Sequence, residues 1–237
     1  MRRSIWWGTG RWWRQAFVLV VVLLWLPPSV APSKGGSRAE VETGKSRRSA
    51  GGAAPVTFRL VPQESRFWIR VAKAGALRFL AHDHTMGVKS FRGEVTIPDD
   101  RYTEARLELD VDAASIVVLD EKVKESDRAK ITRSMHDEVL QSARYPLIRF
   151  RSREVSLRPA RKENQVEVEV TGALTLRGVT RDIRLPVTVT RTPRELRAVG
   201  SYPLTQTEFG IAPYSTAGGT IRVKDVVVLE YQLVARS

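Results

Sequence analysis

Alternation of apolar and polar residues runs through most of the chain after residue 56 and restricts its fold more than any other feature. From residue 166 to 170 every second residue is valine and the residues between are glutamates. Leu107, Leu109 and Val111 alternate in the same way with acidic residues. Successive side chains of a β-strand point to opposite faces, so each such segment has one apolar and one hydrated face. The pattern is typical of antiparallel sheet with one face in water.

Roughly eight segments of this kind, each about 8–12 residues long, predict an all-β fold. Eight antiparallel strands can close into a barrel whose lumen is filled by side chains or holds one small ligand. An immunoglobulin-like sandwich is the structural alternative. Pro186 falls on the polar face of its segment, which favours an edge strand or a bulge there.

One segment, from Asp120 to Ala143, breaks the alternation. Its apolar residues Val123, Ile131, Met135 and Val139 are four or eight positions apart. This spacing predicts one helical insertion, either continuous or interrupted near Ser126. The helix has to end before residues 145–146, because proline disfavours helix at the residue before it.

The first 31 residues have the organisation of an export signal. A basic, tryptophan-rich start is followed by an uninterrupted apolar run over residues 16–26 and by Pro27 and Pro28. The run is shorter than the roughly 20 residues that span a bilayer as a helix. Residues 29–31 fit a cleavage site, but Pro32 disfavours the cut. The sequence therefore predicts a signal peptide at 1–31, with a membrane anchor as the alternative, and a periplasmic or secreted protein.

Residues 32–54 are rich in glycine, serine and basic side chains, which predicts a flexible basic linker before a folded domain at 55–237. About half of the net charge of +13 lies before this domain, because residues 1–54 hold nine basic and two acidic residues. The remainder carries 30 basic and 24 acidic residues, interspersed along the strands. No basic stripe with stacking aromatic residues is present, so nucleic acid is not an expected partner.

The chain contains no cysteine. This excludes disulfides, thiolate catalysis, iron–sulfur clusters and cysteine zinc sites.

Several ordered motifs resemble the YceI-like family of exported lipocalin-like barrels. They extend from about residue 56 to 235 and therefore cover the whole predicted folded domain. The motifs are LVPQESRF at 60–67, AHDH at 81–84, FRGEV at 91–95, LDVDAASI at 109–116, MHDEVL at 135–140, YPLIRF at 145–150, GALTLRGVT at 172–180, FGI at 209–211 and VKD at 223–225.

The resemblance implies an antiparallel eight-stranded barrel that binds a long polyisoprenoid chain, such as a polyprenyl quinone, in its lumen. It implies periplasmic or extracytoplasmic lipid binding or carriage, and it does not imply catalysis. No catalytic residue, no resident metal and no cofactor other than a bound isoprenoid or isoprenoid quinone is expected. The resemblance is also compatible with a homodimer. Many family members lack histidine at the position of residues 82–84, and this difference leaves the identity of the bound lipid open.

The residues of the apolar faces are expected to line the lumen. Phe209 of the FGI motif is expected either to line the lumen or to anchor the end of the barrel. They would pack together in the same way if the lumen were filled. These residues are Phe67, Ile69, Phe91, Val95, Leu107, Leu109, Ile148, Phe150, Val168, Val170 and Phe209.

The three histidines leave further alternatives open. His82 and His84 suit a structural turn or a polar contact to a ligand head group at the barrel mouth. In an extended segment both would lie on one face, where His136 could complete a metal site. A metal-dependent enzyme using these three residues, and an adaptor barrel with a filled core, are therefore the alternative functions.

Overall fold

The computed structural model describes residues 54–74, 83–159, 165–216 and 221–237. Within these residues the chain forms strands joined by short turns and one helical segment. The strands are β1 Val56–Leu60, β2 Arg66–Val71, β3 Lys73–Ala74, β4 His84–Val88, β5 Phe91–Ile97, β6 Arg106–Asp112, β7 Ile116–Val118, β8 Leu147–Arg158, β9 Val166–Leu176, β10 Val179–Arg191, β11 Glu195–Thr205, β12 Ser215–Thr216, β13 Ile221–Val223 and β14 Val226–Arg236.

The main sheet closes on itself through the last strand. β14 pairs with β11 on one edge and with both β1 and β2 on the other, and every pair is antiparallel. Around the barrel the order is β1/β2, β4/β5, β6/β7, β8, β9, β10, β11 and β14. The predicted all-β, antiparallel eight-stranded lipocalin-like barrel is therefore confirmed.

Three of the eight barrel strands are bent, so each appears as two shorter strands. A 3-10 turn at Pro62–Glu64 separates β1 from β2, and another at Ala113–Ser115 separates β6 from β7. At the second bend the ladder continues, because Lys89 donates to the carbonyl of Ser115 and Asp112 to that of Ser90. The bends let long strands follow the curvature of the wall.

The helical insertion lies between β7 and β8. Helix α1, Glu125–Ser134, continues into a π-helical segment at Met135–Leu140 and ends at Gln141, whose φ of 49° is left-handed. The single predicted helical insertion is confirmed, and it is continuous through Ser126. No residue of α1 is fully buried. Helix α1 therefore covers the barrel, while Met135 of the π-helical segment is buried in its core.

The predicted signal peptide or anchor at 1–31 and nearly all of the linker at 32–54 lie outside the described residues. In the part of the chain that the structure describes, no helix combines the length and the apolar character needed to cross a bilayer.

Pro186 lies within β10, between β9 and β11, and not on an edge strand. The paired residues of β10 and β11 stop at Thr188 and Val199, so Pro186 falls just beyond the end of that ladder. The Tyr231 hydroxyl donates to the Pro186 carbonyl at 2.8 Å. Gly200 makes room for this phenol: a Cβ there would lie 2.4 Å from both the Tyr231 hydroxyl and the Pro186 oxygen. Burial raises the pKa of Tyr231, which keeps the phenol protonated as a donor.

We expect Gly200→Ala to lower the free energy of unfolding by about 1–3 kcal/mol, because backbone or phenol has to move to admit the methyl group. Urea denaturation checks this. Val199→Ala is the matched control, because Val199 is exposed, and it should change stability by less than about 0.5 kcal/mol. Equal effects of the two changes would contradict the role given to the close approach at Gly200.

Candidate functional site

The barrel contains a cavity of about 330 Å³ with a mainly apolar wall. This volume lies at the lower end of the range of about 300–1,000 Å³ for small-molecule sites. The lining residues are Phe67, Ile69, Val71, Lys73, His84, Met86, Val88, Leu109, Val111, Ile116, Lys130, Ile131, Ser134, Met135, Val139, Leu140, Ile148, Phe150, Leu174, Leu176, Leu204, Gln206, Ile211, Tyr214, Arg222, Val223, Val227 and Leu229.

The cavity lies toward one end of the barrel, as the lining positions within each strand show. β6, β9 and β11 contribute residues near their C-terminal ends, whereas β8 and β14 contribute residues near their N-terminal ends. In an antiparallel barrel these ends meet at the same rim. The opposite end is filled by core side chains, among them the almost completely buried Phe58 and Ile97. The lumen is therefore packed at one end and hollow at the other.

Helix α1 and the π-helical segment after it form one wall of the cavity. Lys130, Ile131 and Ser134 line it from α1, and the buried Met135 packs against side chains of β4 and β7. Arg128 ties α1 to the loop after β7, because its Nη2 donates to the carbonyl of Asp120 at 2.9 Å. Since α1 has no fully buried residue, this tether contributes much of what holds the wall in place.

Charged side chains at the cavity are cationic. Lys73, Lys130 and Arg222 come from β3, α1 and β13, and no aspartate or glutamate occurs among the described residues that line the cavity. The Lys130 side chain is 77% exposed and lies 3.4 Å from Asp127. These side chains therefore mark where the cavity meets solvent, and this place is called the mouth below.

His84 is the histidine that lines the cavity. It begins β4, and its Nδ1 lies 2.9 Å from Oδ2 of Asp120. The side chains of both residues are about four-fifths buried. The Thr85 backbone amide also donates to the Asp120 carboxylate. The imidazole is thus held in a fixed orientation within a mainly apolar wall.

Five of the residues predicted for the lumen line the cavity: Phe67, Ile69, Leu109, Ile148 and Phe150. Six others lie outside its wall, namely Phe91, Val95, Leu107, Val168, Val170 and Phe209.

Four of these six residues lie outside the cavity wall because of their position along the barrel axis. Val95 pairs with both Leu107 and Phe58, which places this group at the filled end. Val168 and Val170 pair with Leu157 and Val155 in the C-terminal half of β8, away from the end of β8 that lines the cavity. Alternation identifies the inward face of a strand, but it carries no information on which inward residues meet packed core and which meet open space.

Phe91 and Phe209 are buried for other reasons. Phe91 lies at the bend between β4 and β5 and packs in the cluster that contains Met135. Phe209 ends a 3-10 turn and is 1% exposed, so it anchors the barrel end.

Of the other histidines, His82 lies outside the described residues. His136 belongs to the π-helical segment, where its Nδ1 lies 3.2 Å from the hydroxyl of Ser142. Across the ranges that the structure describes, no cluster of three histidine, aspartate or glutamate side chains has the arrangement of a metal site.

Several wall residues were missed although the sequence carried a signal for them. Leu174 and Leu176 continue the apolar parity of Val166–Leu176 beyond Gly172, which lies directly below the Phe150 ring. Met135 and Val139 were recognised as a helical apolar face but not as cavity wall. No sequence pattern indicates Asp120 as a site residue, because its pairing with His84 depends on the tertiary fold.

A second, polar cleft of about 270 Å³ lies on the outer face of the barrel. It contains an ion-pair network in which Asp110 bonds Arg92 at 3.0 Å and Arg151 at 2.6 Å. Burial alone would raise the pKa of Asp110, but the hydrogen bonds and charges of Arg151 and Arg92 outweigh it and hold the pKa below its usual value. The network joins β5, β6 and β8, and this accounts for the cleft as a structural feature.

Comparison with known proteins assigns most of the chain to one family. The family model for the YceI-like domain matches residues 58–235. A search of curated proteins gives no match.

Solved structures share the fold at low sequence identity. BcnA of Burkholderia cenocepacia has a TM-score of 0.58 and 20% identity, covering 74% of this chain and 98% of its own. A polyisoprenoid-binding domain from Saccharophagus degradans has a TM-score of 0.53 and 14% identity, covering 76% and 98%. The YceI protein of Campylobacter jejuni has a TM-score of 0.50 and 14% identity, covering 64% and 84%. At these identities the likeness establishes the fold alone.

We expect Arg128→Met to loosen helix α1, because it removes the hydrogen bonds to the carbonyls of Asp120 and Val123. Amides of α1 should exchange with solvent about tenfold faster, while amides of β9 and β10 stay unchanged. Arg133→Met, an exposed position on the same helix, is the control. If both variants exchange like the wild type, Arg128 is not the tether.

We expect Asp110→Asn to lower the free energy of unfolding by about 1–2 kcal/mol at neutral pH. Because the folded-state pKa lies below the ordinary value of 3.8, the ionised carboxylate stabilises the fold above that pH. The stabilisation is lost as pH falls through the folded-state pKa. The difference between wild type and variant should therefore shrink below about pH 4.

Urea titrations at several pH values measure this difference. Asp182→Asn breaks the exposed pair with Arg153 and should have a smaller effect at every pH. A difference for Asp110→Asn that stays constant into acid would refute the assignment.

Proposed function

The chain belongs to the YceI-like family, and we propose that it is an exported protein that holds the apolar chain of a polyisoprenoid-type lipid in the cavity of its barrel. The observation that carries this proposal is the apolar wall. Apart from seven polar or charged side chains, every lining residue is aliphatic, phenylalanine or methionine. Such a surface favours ligands that have extensive apolar area and few hydrogen-bonding groups.

Burial of apolar carbon supplies the affinity. Each methylene-sized group removed from water contributes about 0.8 kcal/mol, so on the order of ten groups cover micromolar binding. Part of this gain is offset by the lost freedom of a flexible chain. No set of specific hydrogen bonds is required, which is consistent with a binding protein that is not an enzyme.

The size of the cavity bears on how a long chain fits. A cavity of about 330 Å³ is small for a long chain, because small-molecule sites extend to about 1,000 Å³. A polyisoprenoid of several units is larger. We propose that helix α1 moves outward to enlarge the cavity, because it has no fully buried residue and, unlike the wall strands, it is not hydrogen-bonded into a sheet.

Two further parts of the proposal are export and the class of the lipid. The first rests on the sequence of the leader and the second on a structural relative. The leader at 1–31 supports export to the periplasm or the medium, or tethering to the membrane if the leader is retained. The Saccharophagus degradans domain is described as polyisoprenoid-binding, which supports a ligand of that class. A bound isoprenoid quinone belongs to that class as well.

The proposal predicts that organic extracts of the purified full chain contain near-stoichiometric long-chain isoprenoid, detectable by mass spectrometry. Leu229→Trp fills the cavity from β14, so it should reduce the bound lipid at least about tenfold. The loss arises because the indole occupies space that the lipid chain requires.

Val226→Trp places the same side chain on an exposed position of the same strand and should leave the lipid content unchanged. Melting curves of both variants establish that the barrel is intact. Absence of extractable lipid, combined with no uptake of added polyprenyl quinone, would disprove lipid binding. Equal loss in the two variants would place the lipid outside the cavity.

A further inference from the structure

The imidazole of His84 is a polar group of fixed orientation at the cavity. The carboxylate of Asp120 fixes it through the 2.9 Å contact to Nδ1. That carboxylate is itself fixed, because the Thr85 amide donates to both of its oxygens at 3.2 Å. Arg128 holds the backbone carbonyl of the same aspartate. The pair therefore has support from β4, from the loop after β7 and from α1.

This arrangement determines which ring nitrogen carries the proton. An ionised carboxylate only accepts hydrogen bonds, so Nδ1 of His84 has to be the donor. In the neutral imidazole the other nitrogen, Nε2, then carries a lone pair and only accepts. The Asp120 carboxylate thus leaves His84 with a hydrogen-bond acceptor as its second polar atom.

Of the other polar groups at the cavity, Ser134 and Tyr214 carry hydroxyls that can donate as well as accept. Lys73, Lys130 and Arg222 are cations that only donate. The amide nitrogen of Gln206 already donates to the carbonyls of Lys224 and Asp225. An acceptor on a side chain that is about four-fifths buried favours a ligand that can donate to it, because an unpaired polar group costs free energy once water is displaced.

Building on the proposed function, we infer that this cavity prefers an isoprenoid whose head group carries a hydroxyl, which donates its proton to Nε2 of His84. The preferred class comprises prenols and the reduced, quinol form of isoprenoid quinones. Ethers and oxidised quinones have head groups that only accept, so they cannot form this bond. Asp120 acts as a positioning residue, because it sets the tautomer without touching the ligand.

The test compares farnesol with its methyl ether, which have the same apolar chain. Affinities are measured on the full chain, freed of lipid, at about pH 8.5. We expect farnesol to bind about 3- to 10-fold more tightly than the ether. His84→Phe keeps a ring in the wall but removes the lone pair, and it should abolish this preference.

Asp120→Asn provides the sharper test, because it keeps the shape of the side chain. The amide oxygen of the new residue would accept from the Thr85 amide, and its NH₂ group would donate to Nδ1 of His84. The ring would then carry its proton on Nε2, so the preference should turn toward the ether. Asp83→Asn is the charge-matched control, because its carboxylate accepts from the Lys73 amide and should leave the preference intact.

Nitrogen-15 NMR of the imidazole reports the tautomer directly and independently of any ligand. We expect the protonated nitrogen to be Nδ1 in the wild type and Nε2 in Asp120→Asn. Equal affinity for farnesol and its ether, or a farnesol preference that survives His84→Phe, would overturn the inference while leaving lipid binding in place. Failure of both probes to bind, together with lipid-free extracts, would instead disprove the proposed function.

Discussion

Closure of the sheet by β14 is the constraint on which the rest of the structure depends. Pairing of this strand with β11 on one side and β1 and β2 on the other gives the sheet an inside and an outside. Once the sheet is closed, the alternating residues of each strand can be oriented in only one way, with apolar side chains inward and charged side chains outward. The ion pairs of the outer face and the cavity inside both follow from this division.

The cavity exists because the barrel is packed unevenly along its axis. Large side chains such as Phe58 and Ile97 fill one end, whereas the other end is covered by a helix that contributes none of its own residues to the core. The π-helical segment carries the buried Met135 and connects this cover to the barrel. The strands of the barrel wall are therefore attached to one another more strongly than helix α1 is attached to the barrel.

The fold was largely predictable from the sequence, because alternation is a local property of each strand. The site was only half predictable. Phe67 and Val95 look equivalent by parity, yet one lines the cavity and the other lies at the filled end. Their difference depends on register and on the size of partners distant in sequence. The pairing of His84 with Asp120, 36 residues apart, is likewise a product of the tertiary fold.

The filled end of the barrel has a consequence for the order of events in loading and release. If the cavity holds a lipid as proposed, the filled end would make an elongated molecule enter lengthwise through the mouth, with its apolar tip first and its polar end last. The polar end would then lie beside His84 and the cations, and it would be the first part to leave. Arriving and departing molecules would have to use the same rim in turn.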